Sequence, residues 1–158
     1  MQLTRYTDYA LRVLIYLAYK DEELSTINEV SQIYGVSENH LMKIVHQLAK
    51  LGYVTTLRGK GGGLKLGRRP EQIRIGDVVR DTEETLDVVE CLAENYAGAC
   101  RLFSNCKLKT VLSDAQRAFF DSLDQYTLKD LVTKRATFAK VEFHPRSRPP
   151  HAKATAKA

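Results

Sequence analysis

No apolar run in this 158-residue chain approaches the ~18 residues that a membrane-spanning helix needs. The opening stretch, MQLTRYTDYALRVLIYLAYK, spreads Arg5, Asp8 and Arg12 among its apolar residues, unlike a signal peptide, so the expected location is the cytoplasm, with no membrane partner. Cysteine is scarce. An odd count of three in a reducing compartment argues against a disulfide framework. There is no C-x-x-C pair and no motif of catalytic chemistry, so neither a thiol-redox enzyme nor a cluster-transfer protein is expected, nor any other enzyme. The glycine-rich tract at 58–62 lacks the G-x-x-x-x-G-K-[ST] spacing and does not open a helix, which excludes a nucleotide-binding loop. Internal repeats are absent as well.

Acidic residues are missing between Glu38 and Glu71, while Lys43, Lys50, Arg58, Lys60, Lys65, Arg68 and Arg69 all fall there. A solvated face normally mixes both signs, so a one-signed stretch points to a polyanion. The overall balance divides the chain the same way. Residues 1–80 carry 12 Lys+Arg against 8 Asp+Glu, residues 81–130 carry 5 against 10, and the remainder carries 7 against 1.

Periodicity supplies the elements. Apolar residues at 6, 10, 13, 14 and 17 predict a helix over Tyr6–Lys20, capped by Thr4 or Thr7. Thr26-x-x-Glu29 is a capping box opening a second helix, Gly35 is placed to stop it, and Ser37 can cap a third over Glu38 to about Leu51. That third helix sets Leu41, Ile44, Val45, Leu48 and Leu51 inward, with Asn39, His40, Met42, Lys43, His46, Gln47 and Lys50 on the opposite face. The pattern is a helix-turn-helix. Two short strands, 53–57 and 63–66, flank Arg58-Gly-Lys-Gly-Gly62 as a hairpin whose basic tip can reach phosphates or the minor groove. Further helices are expected at 73–80, at 107–126 with a continuous apolar stripe from Leu108 to Leu123, and at 127–132. The stripe exceeds what a winged domain covers, so dimerisation is expected.

The fold class is therefore mainly α with a small β-hairpin. A winged helix-turn-helix DNA-binding domain (1–80) precedes a cysteine loop and long dimerisation helix (81–133), and a basic tail (134–158) should be disordered from about 144. For DNA contacts the expected residues are Ser37, Glu38, Asn39, His40 and Lys43 at the start of the recognition helix and Arg58 and Lys60 in the wing. Lys50 and Arg12, with Lys43, would position phosphates. All three cysteines, Cys91, Cys100 and Cys106, lie within 16 residues as C-x8-C-x5-C, in a polar loop containing Glu90, Glu94, Asn95 and Gly98. Core-filling cysteines would seldom cluster so, and metal or redox chemistry is the better reading.

With winged helix and cysteines both placed, the chain over roughly residues 1–133 resembles the iron-sulfur winged-helix repressors. MQLTRYTDYALRVLIYLA, YGVSENHLMKIVHQLAKLGYV, RGKGGGLKLG, IRIGDVVR and YTLKDLV carry the resemblance, which is nearest to the nitric-oxide-sensing branch. It implies a homodimer on a palindromic operator in double-stranded DNA and one iron-sulfur cluster per subunit, 2Fe-2S or 4Fe-4S. The implied ligands are Cys91, Cys100 and Cys106, together with Asp8 of the partner subunit. A gap commonly x5 in the family is x8 here, between Cys91 and Cys100. Another branch uses a histidine just after the third cysteine, where this chain has Lys107. That favours Asp8, with Glu90 and Glu94 as alternatives. The implied function is a repressor that senses nitric oxide and leaves DNA when its cluster is damaged. Two alternatives are a cluster-status or redox-sensing regulator of the same family and a zinc-stabilised DNA-binding module, although zinc sites usually pair their thiols as C-x2-4-C.

Overall fold

The computed structural model of the protein describes residues 2–98 and 100–132; the basic tail over 134–158 lies outside them. Helix α1 (Arg5–Lys20) starts at Thr4, whose Oγ1 accepts from the Thr7 amide at 3.2 Å. Helix α2 (Ile27–Tyr34) opens on the expected capping box, with Thr26 Oγ1 accepting from the Glu29 amide at 3.1 Å and Glu29 Oε2 accepting from the Thr26 amide at 3.3 Å. It ends at Gly35, whose φ of 64° is the left-handed conformation that glycine takes without steric cost. Helix α3 (Glu38–Lys50) follows. Ser37 holds its N-cap position, but the hydroxyl makes no capping bond, so that side-chain cap is a correction to the sequence reading.

The inner face of α3, Leu41, Ile44, Val45 and Leu48, closes on Ala10, Val13, Leu14 and Leu17 of α1. Each large apolar side chain so buried contributes about 1.5–3 kcal/mol, which fixes α3 against α1 and leaves its other face outward.

Strands β1 (Val54–Leu57) and β2 (Gly63–Leu66) pair antiparallel, Val54 opposite Leu66 and Leu57 opposite Gly63. At the tip Gly59 and Gly61 have φ of 101° and 83°. A Cβ on Gly62 would overlap the Leu57 carbonyl, so the turn admits only glycine there. Ser25 exchanges backbone hydrogen bonds with Leu64 at 3.0 and 2.7 Å, tying the α1–α2 connection to the wing.

Helix α4 runs Ile75–Thr82, two residues later than expected. Ile73 and Arg74 are extended because they pair with the far end of the chain: Arg74 bridges Thr127, and the Ile73 carbonyl accepts from the Leu128 amide at 2.8 Å. Helix α5 (Lys107–Asp124) packs on α4, and α6 (Leu128–Leu131) returns to α1 and to a 3-10 turn at Pro70–Gln72. Arg80 of α4 forks onto Asp124 of α5, Nη1 to Oδ1 at 2.8 Å and Nη2 to Oδ2 at 2.6 Å. No residue of α5 is fully buried, and Leu108 and Val111 are 63% and 61% exposed. Among the described residues no helix is long and apolar enough to cross a membrane.

One cap carries a pH dependence. Burial pushes the Glu29 carboxyl up, but bonds from the Tyr16 hydroxyl at 2.6 Å, Lys20 at 2.9 Å and the Thr26 amide more than offset it and hold it below its ordinary 4.5. A carboxyl depressed on folding stabilises the protein above its unfolded value, and that stabilisation is lost as pH falls through the folded one. Thermal melts on acidification below pH 4.5 should therefore show a smaller loss of Tm in Glu29→Gln than in the parent; equal losses would remove Glu29 from the acid response.

Candidate nucleic-acid interface and cysteine loop

The outward stripe of α3 is formed by the exposed residues Asn39, Met42, Lys43 and His46, which recur at helical spacing, and Lys50 continues it. Their neighbours at the start of the helix are partly committed elsewhere. Glu38 Oε1 accepts from Asn28 Nδ2 at 2.7 Å, and Asn28 Oδ1 accepts from Gln32 Nε2 at 3.0 Å, so Glu38 locks α2 to α3 across the turn. The His40 ring stands edge-on to Tyr9 at 5.6 Å and leans toward α1. Ser37 stays exposed with its hydroxyl uncommitted.

Ion pairing sorts the cations further. Lys20, Lys65, Arg80 and Lys129 are each paired with a carboxylate, and Arg12 Nε donates to Asp8 at 2.9 Å while its guanidinium lies near the Tyr9 and Tyr34 rings. Among the described residues Lys43, Lys50, Arg58 and Lys60 have no such partner and are exposed. Unpaired cations on one helix face and one hairpin tip keep their full charge for an external anion. Burial raises the neighbouring Tyr34 phenol to about 12, so it stays protonated and donates to the Arg12 carbonyl at 3.1 Å, fixing that part of α1 beside the interface.

The cysteine loop lies at the other end of α5. All three cysteines are free thiols, Cys91 and Cys106 half-buried and Cys100 exposed. A 3-10 turn at Glu90–Leu92 and another at Phe103–Asn105 hold its two flanks, and the Tyr96 and Phe103 rings meet at 5.1 Å between them. The Tyr96 hydroxyl accepts from the Cys100 amide at 2.7 Å. Cys91 and Cys100 line one shallow cavity with Val89, Glu90 and Tyr96. Cys106 lines a different one with Phe103 and Lys109, the Lys109 ammonium standing 3.8 Å from the Phe103 ring centroid. Among the described residues no three His, Cys, Asp or Glu side chains converge as a ligand set. Asp8 and Glu94 border neither cavity, whereas Glu90 borders the first. Sequence spacing locates the thiols but has no signal for their division between two cavities.

The Rrf2 family, described as "Iron-dependent Transcriptional regulator", matches residues 3–134. The HTH-type transcriptional regulator NsrR of Bacillus subtilis is 49% identical over 142 residues, covering 89% of this chain and 97% of its own. Its namesake in Geobacillus kaustophilus is 50% identical over 138 residues, covering 87% and 93%. Among solved structures, CymR, the global cysteine regulator of B. subtilis, superposes with a TM-score of 0.68 at 28% identity over 84% of this chain and 96% of its own. IscR of T. potens gives 0.69 at 26% identity over 89% and 91%. The family model spans most of the chain and the curated relatives are about half identical to it, so the chain belongs to the Rrf2 family, described as iron-dependent transcriptional regulators.

Proposed function

We propose that the protein is a homodimeric repressor of palindromic operators that senses nitric oxide through one iron-sulfur cluster per subunit, cluster damage releasing it from DNA. The observation that carries this reading is the placement of three unpaired thiols directly before α5, a helix whose apolar side chains Leu108 and Val111 remain uncovered and available to a second copy. The donor chemistry fits an iron-sulfur group of either nuclearity, since such clusters are held by thiolates, here Cys91, Cys100 and Cys106. Asp8 of the partner subunit is the fourth donor. In the chain itself Arg12 engages only Oδ1 of Asp8, which leaves Oδ2 for a ligand. When bound, the cluster supplies an iron with one hard, weaker oxygen ligand, open to a small diatomic gas.

The chain's own residues then do the rest. The thiols hold the 91–106 loop in one shape, and Asp8 joins that loop to the first helix of the other subunit. Two recognition helices so joined keep a set separation, and half-sites one helical turn apart demand about 34 Å between them. Asn39, Met42 and His46 face base edges; Ser37, Lys43, Lys50, Arg58 and Lys60 hold phosphates, and Glu38 and His40 orient the helix. Arg12 stays half-exposed beside the interface and engages Asp8 through Nε alone, which leaves its Nη groups to reach a phosphate.

Nitric oxide added anaerobically to cluster-loaded protein is expected to weaken binding to a selected palindromic duplex by at least about tenfold, about 1.4 kcal/mol. Unchanged affinity would sink the reading, as would a colourless purified protein that contains zinc.

A further inference from the structure

Arg68 belongs by position to the one-signed basic run, yet its guanidinium is engaged within the chain itself. Two residues past β2 it stays exposed but folds back along the surface, and its Nη2 donates to the Leu51 carbonyl at 2.6 Å, at the C-terminal end of the recognition helix. The guanidinium lies over the Tyr53 ring, 4.8 Å from its centroid. Tyr53 is 2% exposed and its hydroxyl donates to Asp81 Oδ2 of α4 at 2.6 Å. Burial first, and then the Asp81 carboxylate, raise this phenol well above its ordinary range, so it remains a donor. The Gly52 backbone lies against the same guanidinium. Gly52 has φ of 75°, and a Cβ there would come within 3.2 Å of Arg68 Nη2. A Cβ on Gly67 would come within 2.6 Å of the Gly52 carbonyl.

We infer that Arg68 is a positioning residue for DNA recognition: with Tyr53 and Asp81 it sets the angle between recognition helix and wing, and it does not contact phosphate. Both DNA-reading elements meet at this one side chain, because Leu51 ends α3 and Arg68 follows β2. Asp81 then fastens the junction to α4. The planar guanidinium suits the task, since it can face a ring and still donate in its own plane, which an ammonium cannot.

The two roles predict different salt dependence. Removing a cation that neutralises one phosphate lowers the slope of log K against log salt by about 0.9 for duplex DNA, whereas removing a group that only positions the helix leaves the slope alone. The test uses the full chain with iron content matched across variants, a duplex selected by the protein from random sequence, and a scrambled duplex as non-specific control. Tyr53→Phe removes only the hydroxyl. It should weaken binding to the selected duplex about tenfold, in keeping with one hydrogen bond to a charged group, at constant slope and with scrambled-duplex affinity unchanged. Arg68→Lys should behave alike, and Tyr53→Phe combined with Asp81→Asn should lose no more than either alone. Lys60→Ala, the comparison, should lower the slope by about 0.9 and weaken both duplexes. A slope reduced by about 0.9 in Arg68→Gln, which removes the charge, overturns the inference in favour of a phosphate contact. Unchanged selected-duplex affinity in Tyr53→Phe overturns it in favour of a purely structural role. Should an Arg68 variant fail to fold, Tyr53→Phe and Asp81→Asn alone decide the matter.

Discussion

If Cys106 holds the proposed cluster, replacing it with serine is expected to remove the iron and to lower operator affinity by about 100-fold or more, while leaving the fold at least as stable as before. The separation follows from where Cys106 sits. It is the N-cap of α5, with φ of −84° and ψ of 103°, and its thiol makes no capping bond. Serine is among the preferred N-cap residues, worth about 1 kcal/mol over a side chain that cannot cap, so the helix gains. The loop loses a thiolate that none of its other side chains replaces. Removing a residue that merely supports a metal ligand already costs about 10–100-fold in many sites, and removing a ligand itself should cost more. Iron and sulfide analysis of the variant, read beside its Tm and its binding to a selected duplex, checks all three parts. Full iron content in the variant would take Cys106 out of the ligand set.

The second large effect lies at the opposite end of α5. Leu128→Ala is expected to destabilise the protein by about 3 kcal/mol, the range for a buried leucine truncated to alanine. For a chain of this size that corresponds to a fall of about 6–12 °C in Tm. Leu128 is 0% exposed and belongs to the core beneath α1, whereas α6 itself has only four residues. So short a helix does not stand alone. Its capping box, in which Asp130 Oδ2 accepts from the Thr127 amide and hydroxyl at 2.7 Å, and the surface pair of Lys129 with Glu71 hold its shape but bury nothing. A thermal melt that moves by less than about 2 °C would show that α6 is held by those surface contacts instead.

How much of the molecule is legible in its sequence depends on how local each cause is. The capping box at Thr26 and Glu29, the left-handed stop at Gly35 and the glycine turn at 59–62 depend on neighbours a few residues away, and the structure has them where the spacing predicts. The start of α4 is displaced because Ile73 and Arg74 answer to Thr127 and Leu128, a pairing with no local trace. Arg68 reads as one more cation of the basic run for the same reason. Charge is visible in a sequence, but the Leu51 carbonyl, the Tyr53 ring and Asp81 come together only in the fold. Glu38 and His40 face the right way by helical count and are drawn off by Asn28 and Tyr9, which belong to other helices. The cysteines stand out by their clustering alone, and their division between two cavities depends on the turns at 90–92 and 103–105.

The grip of Arg80 on Asp124 has a mechanical consequence. It lies at the last residue of α5, close to where Leu128 roots the chain in the core, while the cysteines lie beyond the first. Eighteen helical residues make a rod of about 27 Å, with the winged helix at one end of α5 and the thiol-bearing loop at the other. A displacement of about 2 Å at one end of such a rod is a rotation of about 4° about the other. Since Asp81 adjoins Arg80 in α4, the side chain that grips α5 and the one that holds Tyr53 at the base of the wing are neighbours in a single helix.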